Sequence, residues 1–192
     1  MEATENNEEQ QLGGHYSLWL VPDTTAERQF AEAIDYLSER FPGPRFAPHV
    51  TLLSALSGQE EDLVAKSRQL SNELTAFRAT ATGLAMEPYY FRNFYLRLEN
   101  SASFLLAYQR ASKTLSKSSG GDFKPHISLH YGTSSREECM SMGKEIHSQL
   151  PGSAMVDKLY LVHITLAVPN WRIISRHDLR PPDQAPPGVS LE

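Results

Sequence analysis

The sequence predicts an α+β fold of two pseudo-symmetric lobes of antiparallel β-sheet flanked by helices, with a cleft between the lobes. Strand-type and helix-type periodicities alternate along the chain. A short segment occurs twice, at residues 46–52 and 123–129, and the strand pairs near Pro88 and Pro169-Asn170 have the pattern of hairpins. A doubly wound parallel sheet, the alternative, would need a helix between successive strands, so the hairpins favour antiparallel sheets.

The first half of the chain begins with a predicted strand at 16–21 and a predicted helix at 25–41. Apolar residues such as Phe30 and Leu37 recur in that helix at helical spacing. The run Pro42-Gly43-Pro44 ends it, because proline cannot continue a helix. The remaining elements predicted for this half are a strand at 49–55, a helix at 59–77 and strands at 80–86 and 90–98.

The second half contains a similar series of helices and strands around the second copy of the segment. Gly120-Gly121 is the break that separates its first helix from the second copy of the repeated segment. Each half therefore has a strand-helix-strand arrangement with one copy of the segment, which indicates an internal duplication. The elements predicted for this half are helices at 103–116 and 136–149 and strands at 126–131, 158–168 and 171–176.

The repeated segment places a histidine and a hydroxyl on the same face of a strand. Its copies are Phe46-Ala47-Pro48-His49-Val50-Thr51-Leu52 and Phe123-Lys124-Pro125-His126-Ile127-Ser128-Leu129. Alternate side chains of a strand share a face, so the histidine and the hydroxyl point one way and the apolar residues point into a core. The proline favours extended backbone before it and marks the start of a strand. Two such strands facing each other would form a pocket with two imidazoles and two hydroxyls.

This set of groups suits acid-base chemistry on a phosphate ester. An imidazole has an ordinary pKa of about 6.5, so two of them can act as proton donor and proton acceptor near neutral pH. The hydroxyls can donate hydrogen bonds to non-bridging phosphate oxygens. The looser pattern His-x-Ser/Thr also occurs at His15 and His163, but neither has the preceding proline. We therefore predict that His163 takes no part in the chemistry.

Several segments resemble the two-histidine (2H) phosphoesterases, most closely the plant and fungal cyclic phosphodiesterases. They are the two motifs, the opening Tyr16-Ser17-Leu18-Trp19-Leu20-Val21-Pro22 and the run Phe41-Pro42-Gly43-Pro44-Arg45-Phe46. The resemblance extends over residues 16–178. It implies a bilobal α+β fold with an active-site cleft between the lobes. It also implies hydrolysis of ADP-ribose 1'',2''-cyclic phosphate and nucleoside 2',3'-cyclic phosphates, without a metal or any other cofactor.

The motif positions give a set of candidate site residues. The resemblance implies that His126 is the base that activates water and that His49 is the acid that protonates the leaving oxygen. Thr51 and Ser128 would hold phosphate oxygens, as the motif geometry suggests. The resemblance adds Tyr131 to this phosphate-binding group, and Trp19, Tyr89 and Phe91 as residues that stack on a base. Arg45 and Arg92 are further possible phosphate partners.

The net charge of the chain limits the kinds of ligand that it is expected to bind. A net charge of -5 and an isoelectric point near 5.8 argue against binding of long nucleic acid, which needs a basic surface. We therefore expect a small cyclic nucleotide or an ADP-ribose derivative as the partner. Two alternatives stay open: a 2'-5' RNA ligase-like protein or 2',5'-oligonucleotide phosphodiesterase, and a non-catalytic binder of RNA cyclic-phosphate ends. The acidic isoelectric point favours small substrates over both.

The domain prediction divides the chain into a flexible tail at 1–14, one bilobal domain at 15–178 and a proline-rich tail at 179–192. The first residues do not have the pattern of a secretory signal, and no stretch is apolar enough for a membrane helix. Cys139 is the one cysteine, so an intrachain disulfide is excluded, whereas plant members of the family carry disulfides. We expect a cytoplasmic monomer without membrane contact.

Overall fold

The computed structural model describes residues 15–117, 122–165 and 167–184, and within them it contains seven strands and four helices. Three short 3₁₀ turns, at Tyr90–Arg92, Val168–Asn170 and Pro182–Gln184, connect or follow them. In chain order the elements are β1 (Tyr16–Pro22), α1 (Thr24–Arg40), β2 (Val50–Leu56), α2 (Glu60–Glu73), β3 (Phe77–Met86), β4 (Phe94–Leu98), α3 (Ala102–Thr114), β5 (His126–His130), α4 (Arg136–Ile146), β6 (Ser153–His163) and β7 (Arg172–Asp178).

The seven strands form an antiparallel sheet in the order β2-β1-β6-β3-β4-β5, and β7 also pairs with β6. Residues 153–156 of β6 pair with β3, whereas residues 158–163 pair with β7, so β3 and β7 share one edge of β6. The predicted hairpins are present as the pairs β3-β4 and β6-β7. The α+β class and the antiparallel pairing predicted from the sequence are thereby confirmed.

The internal duplication is visible in the order of the elements. The series β1-α1-β2-α2-β3 is repeated as β4-α3-β5-α4-β6. The third strand of each series is exchanged, because β3 lies beside β4 and β6 lies beside β1, and β3 and β6 pair with each other where the lobes meet. The two motif strands, β2 and β5, consequently occupy equivalent positions at opposite ends of the strand order.

The sheet separates a large core from a small apolar cluster. Strand β1 shows the division, since Leu18 and Leu20 point into the large core that also contains buried residues of the helices. Trp19 and Val21, which alternate with them, pack with Tyr160 and other residues of β6 in the small cluster. One face of the sheet is therefore covered by helices, and the other carries an aromatic surface that borders the site described below.

Helix α2 ends at Glu73, four positions before the predicted end, and Phe77 begins β3 instead. Leu74 already has extended backbone geometry. The Ala76 N–H donates to the Arg180 carbonyl oxygen at 2.8 Å, and the Arg180 N–H donates to the Leu74 carbonyl oxygen at 3.0 Å. Pairing with a segment far along the chain thus ends the helix, which local periodicity could not show.

Three other elements differ from prediction by three residues or more at an end. The predicted strand at 90–98 begins as the turn Tyr90–Arg92, and β4 starts at Phe94. Strand β6 occupies Ser153–His163 instead of 158–168, because its register with β1 runs from Val156 to His163 and fixes where it pairs. Helix α4 ends three residues early, at Ile146.

The predicted tails lie largely beyond the described residues. All of 1–14 and 185–192 fall there. Leu179 and Arg180, the first residues of the predicted C-terminal tail, still bond to the domain: the Leu179 N–H donates to the Asp157 carbonyl oxygen at 2.7 Å, and Leu179 is buried. None of the helices in the described part of the chain has the length and apolar character needed to cross a membrane.

Candidate active site

The two motif histidines make the same local hydrogen bond. His49 Nδ1 lies 2.8 Å from the carbonyl oxygen of Ala47, and His126 Nδ1 lies 2.8 Å from that of Lys124. A carbonyl oxygen can only accept, so Nδ1 carries the hydrogen in each ring, and Nε2 is left with its lone pair. The acceptor in both cases precedes the motif proline, which favours extended backbone there. The sequence repeat therefore builds the same structure twice and fixes the same tautomer in both rings.

Both histidines line one cleft between the lobes, with a volume of about 560 Å³. A cleft of this size suits a small ligand. His49 and Thr51 come from the first lobe, and His126 and Ser128 come from the second. The residues predicted to be catalytic, to bind phosphate through a hydroxyl or to stack on a base all line this cleft: His49, His126, Thr51, Ser128, Tyr131, Trp19, Tyr89 and Phe91.

His49 lies among aromatic rings. Its imidazole stacks on Trp19 with ring centroids 3.6 Å apart, and the ring centroid of Trp171 lies 6.3 Å away in an edge-to-face arrangement. Burial lowers the pKa of His49 to about 4, against the opposing effect of the hydrogen bond to Ala47. The Trp19 indole N–H donates to the Ser17 hydroxyl at 2.9 Å, which holds the stacking surface in place. His49 is thus a rigidly held imidazole that favours its neutral form.

His126 has ionised neighbours that His49 lacks. The ring centroid of Tyr95 lies 5.1 Å from that of His126 in an edge-to-face arrangement, and the Tyr95 hydroxyl donates to a Glu87 carboxylate oxygen at 2.8 Å. Glu87 also forms an ion pair with Arg92. Burial lowers the pKa of His126 and the Arg92 charge adds to this, whereas the hydrogen bond to Lys124 and the Glu87 charge oppose it. Glu87 and Tyr95 carry no signal of this position in the sequence, since no motif contains them.

The polar wall of the cleft contains two hydroxyls and a phenol. Thr51 is half-buried, and the Ser128 hydroxyl donates to the Phe91 carbonyl oxygen at 3.1 Å. The buried ring of Tyr131 stacks on Phe46 with centroids 3.8 Å apart. Burial raises the pKa of Tyr131, so it stays a neutral phenol that can donate a hydrogen bond. Because Phe46 belongs to the first motif and Tyr131 follows the second, this contact joins the lobes.

The aromatic residues of the cleft differ in exposure. Tyr89 and Phe91 are 62% and 39% exposed, and Tyr90 between them is 44% exposed. Trp19 is buried, and one of its faces is already covered by His49. The exposed rings are therefore better placed than Trp19 to stack on a ligand. Stacking on a base remains a prediction for all of them.

Trp171 is a site residue that the sequence did not reveal. Its ring centroid lies 5.6 Å from Trp19, 5.9 Å from Phe91 and 6.0 Å from Tyr131. The indole N–H donates to the Thr165 carbonyl oxygen at 2.7 Å. Trp171 reaches the cleft because β7 folds back on β6, and a lone tryptophan at the start of a strand carries no signal of such a position.

The two arginines and His163 have different positions. Arg45 lies on the exposed surface, where it pairs with Glu39 at 2.7 Å, whereas Arg92 lines the cleft. Among the described residues the lining does not include His163, although Thr165 belongs to it. His163 is the last residue of β6 and not a mid-strand residue as predicted; it packs against the edge of Tyr16.

No group of three or more His, Cys, Asp or Glu side chains within the described ranges is arranged to hold a metal ion.

The fold and the site together define a class of protein. A two-lobed antiparallel sheet with one histidine-hydroxyl motif on an equivalent strand of each lobe, facing a shared cleft, is the architecture of a two-histidine phosphoesterase.

Comparison with known proteins gives the family within that class. The model of the family described as "Cyclic phosphodiesterase-like protein" matches residues 15–179, and the chain belongs to this family. A relative from Arabidopsis thaliana, a cyclic phosphodiesterase, is 27% identical over 123 residues, which cover 64% of this chain and 68% of the relative.

Solved structures share the fold. TT0787 of Thermus thermophilus is 20% identical with a TM-score of 0.60, over 88% of this chain and 99% of that protein. E. coli LigT in its apo form is 18% identical with a TM-score of 0.57, over 87% of this chain and 98% of LigT. LigT has also been crystallised with 3'-AMP. At these identities the likeness extends to the fold alone.

Proposed function

We propose that this protein is a cyclic phosphodiesterase that hydrolyses nucleoside 2',3'-cyclic phosphates, ADP-ribose 1'',2''-cyclic phosphate, or both, by acid-base catalysis that needs no metal. The observation that carries the proposal is the pair of imidazoles, His49 and His126, in one cleft with the same tautomer. Each presents an Nε2 that can accept a proton or, once protonated, donate one.

The chemistry needs two proton transfers at once. Water must lose a proton as it attacks phosphorus, and the ribose oxygen must gain one as the strained ring opens. The attacking and leaving oxygens lie roughly in line, on opposite sides of phosphorus. Two imidazoles from two lobes can serve the two sides. The product is a ribose monophosphate, and the leaving hydroxyl stays attached to the same ribose.

The hydroxyls stabilise charge on the phosphate. As phosphorus becomes five-coordinate, negative charge grows on the non-bridging oxygens, and donors held in place lower the barrier. Thr51, Ser128 and the neutral phenol of Tyr131 are the donors that line the cleft. The Ser128 hydroxyl would turn from the Phe91 carbonyl oxygen to a phosphate oxygen when substrate binds.

The surroundings of the two histidines bear on their roles. Burial, with a smaller contribution from the charge of His126, lowers the pKa of His49 and keeps it neutral, as a base must be. Burial and the Arg92 charge lower the pKa of His126 as well, but the hydrogen bond to Lys124 and the Glu87 carboxylate oppose them and so favour the imidazolium form that an acid needs. We therefore propose that His49 activates water and His126 protonates the leaving oxygen. This is the opposite of the division that the family resemblance implies.

A small nucleotide is the partner that the cleft favours. The aromatic rings Tyr89, Tyr90 and Phe91 on its rim can stack on a base, an interaction worth about 1 to 3 kcal/mol. LigT, which has the same fold, has been crystallised with 3'-AMP, ATP and NADP+. These observations support a nucleotide-sized ligand for this chain.

The direct test is hydrolysis in EDTA. Purified protein is incubated with each cyclic phosphate and with a 2',5'-linked dinucleotide, and products are identified by phosphorus NMR. The proposal expects ring opening to monophosphates that EDTA does not slow. Cleavage of the dinucleotide alone would favour the 2',5'-phosphodiesterase alternative. Tight binding of the cyclic phosphates without turnover would favour a non-catalytic binder.

A further inference from the structure

A second cleft adjoins the first and is different in character. It has a volume of about 570 Å³ and shares Thr51, Ser54, Arg92 and His126 with the first cleft. Where the first cleft is walled by aromatic rings, the second has Lys117 and Lys124 in its lining. The two clefts therefore meet at the proposed reaction centre, and a ligand held there can extend into both.

The charge of the second cleft is unlike that of the whole protein. The chain as a whole is acidic, with a net charge of -5. Within the lining, Arg92, Lys117 and Lys124 stand against one carboxylate, Asp122. Arg92 is already paired with Glu87, so the two lysines supply the remaining positive charge. A local excess of cations next to a phosphate-reactive centre favours an anionic ligand.

Lys117 is held in position rather than free in solvent. Its Nζ donates to the Ala55 carbonyl oxygen at 2.7 Å, which leaves further donors of the ammonium for a ligand. Ala55 and Ser116, the acceptor residue and the neighbour of Lys117, are the two non-glycine residues of the described chain with positive φ, at 52° and 50°. Such backbone geometry is unfavourable for residues other than glycine, and it occurs at functional sites as well as at helix ends such as that of α3.

Lys124 lies next to His126 because its backbone accepts a hydrogen bond from that histidine. Its carbonyl oxygen accepts the hydrogen bond from His126 Nδ1, so its side chain leaves the chain next to that histidine. The side chain is exposed and lines the second cleft. Lys124 is also the variable position of the second motif, and Ala47 occupies the matching position of the first. The lysine therefore makes one end of an otherwise symmetric site cationic.

We propose that the second cleft is a subsite for a further anionic group of the substrate, a phosphate or diphosphate carried by the same ribose, which Lys117 and Lys124 bind while the cyclic phosphate lies between the histidines. This inference rests on the proposed function. For a nucleoside cyclic phosphate it assigns the 5'-phosphorylated end to the lysine-lined cleft and the base to the aromatic cleft. Substrates with such a group are then preferred over a bare nucleoside cyclic phosphate.

The test compares adenosine 2',3'-cyclic phosphate with and without a 5'-phosphate. A charge-assisted hydrogen bond contributes enough to raise kcat/KM about tenfold for the 5'-phosphorylated substrate. Lys124→Gln and Lys117→Gln should each bring the ratio of the two kcat/KM values towards one. Lys144→Gln is the matched control, because Lys144 is an exposed lysine on α4 that lines neither cleft, and it should keep the ratio.

Each outcome decides the matter. Equal kcat/KM for both substrates in the wild-type protein, or an unchanged ratio in a folded Lys124→Gln variant, overturns the subsite. If neither of these substrates nor ADP-ribose 1'',2''-cyclic phosphate is hydrolysed, the proposed function fails, and calorimetry with inorganic pyrophosphate then judges the subsite by itself. Binding about tenfold weaker in the Lys124→Gln variant than in wild-type and Lys144→Gln protein supports it, and equal or absent binding in all three overturns it.

Discussion

His49 and His126 share a hydrogen bond but not an environment. Each donates from Nδ1 to the carbonyl oxygen two residues before it, yet His49 stacks on Trp19 and His126 lies near Glu87. The two rings are thus held in the same way but in different surroundings. Acid-base catalysis by two imidazoles needs such a difference, because one ring must be neutral when the other is protonated.

Loss of either histidine should abolish most of the activity. General acid or base catalysis contributes about 10²- to 10⁴-fold, so His49→Ala and His126→Ala should each lower kcat at least a hundredfold. His163→Gln is the control, since His163 lies outside the cleft lining, and kcat should stay within about tenfold. Circular dichroism checks folding. Full activity in a folded His49→Ala or His126→Ala protein would contradict a two-histidine mechanism.

The division of roles can be tested by changing the leaving group. A phenolate leaves more easily than a ribose alkoxide, so a variant without its general acid should be less impaired on catechol cyclic phosphate than on a nucleoside cyclic phosphate. We expect this relief in His126→Ala and little of it in His49→Ala, measured as the ratio of the two kcat/KM values. Relief in His49→Ala instead would restore the division that the family implies.

The kcat/KM of the enzyme should be highest on the acid side of neutral pH. The pKa of His49 is lowered to about 4 and that of His126 is also lowered, so the proton of the acid histidine is lost below the usual 6.5. The plot of kcat/KM against pH should be bell-shaped, with its maximum between about pH 4 and 6.5, and both limbs belong to the pair. A rate that rises steadily to about pH 9 would indicate attack by hydroxide instead.

Among the elements, the loop between α1 and β2 joins the two lobes. Gly43 packs directly against the end of β5, and a Cβ added there would lie 2.5 Å from the Tyr131 carbonyl oxygen and 2.6 Å from His130 Cε1. Backbone atoms cannot move aside as a flexible side chain can. The same loop carries Phe46 onto Tyr131. The loop thus sets how the first motif approaches the second.

Gly43→Ala should accordingly destabilise the fold by about 1 to 3 kcal/mol, the usual cost of overpacking. Gly152→Ala is the matched control, because nothing lies within 4 Å of a Cβ built there, and it should change the free energy of unfolding by about 0.5 kcal/mol or less. Urea unfolding measures both. Equal stability of the two variants would mean that the loop shifts without cost.

At the same scale, element types follow from the sequence better than element ends. The helical spacing of Phe30 and Leu37 identified α1, and both residues are buried on the core face as that spacing requires. The end of α2 depends instead on Arg180, which pairs with Leu74 from the far end of the domain. A local pattern contains no information about a partner so distant along the chain.

On the scale of the whole molecule, several histidines resist protonation in the folded state. Burial lowers the pKa of His49, His126, His130 and His177. The unfolded chain therefore binds more protons below about pH 6.5 than the folded one does, so stability is full above that pH and is lost as the pH falls towards about 4.

His49 should account for a large part of this acid sensitivity. A pKa lowered from 6.5 to about 4 corresponds to a loss of up to about 3 kcal/mol at pH 4. Urea unfolding at about pH 7 and about pH 4 should show a smaller difference in unfolding free energy for His49→Gln than for the wild-type protein. The same difference in both would mean that His49 is protonated in the folded state at little cost.

By itself, the sequence determined the class of the fold, the duplication and the two motif histidines. These features depend on short-range rules: the alternation of faces in a strand, helical spacing, and the effect of proline on its neighbour. The hydrogen bond from each histidine to the residue before the proline is of this kind, so the repeated segment contains what is needed to build it.

Only the tertiary structure decided which other side chains meet the histidines. Trp171 reaches His49 through the pairing of β7 with β6, and Glu87 comes near His126 through the β3-β4 hairpin. The depression of the pKa of His49 likewise comes from burial by residues of other strands. Such long-range contacts depend on the order and register of the strands in the sheet. The local sequence pattern does not specify either of them.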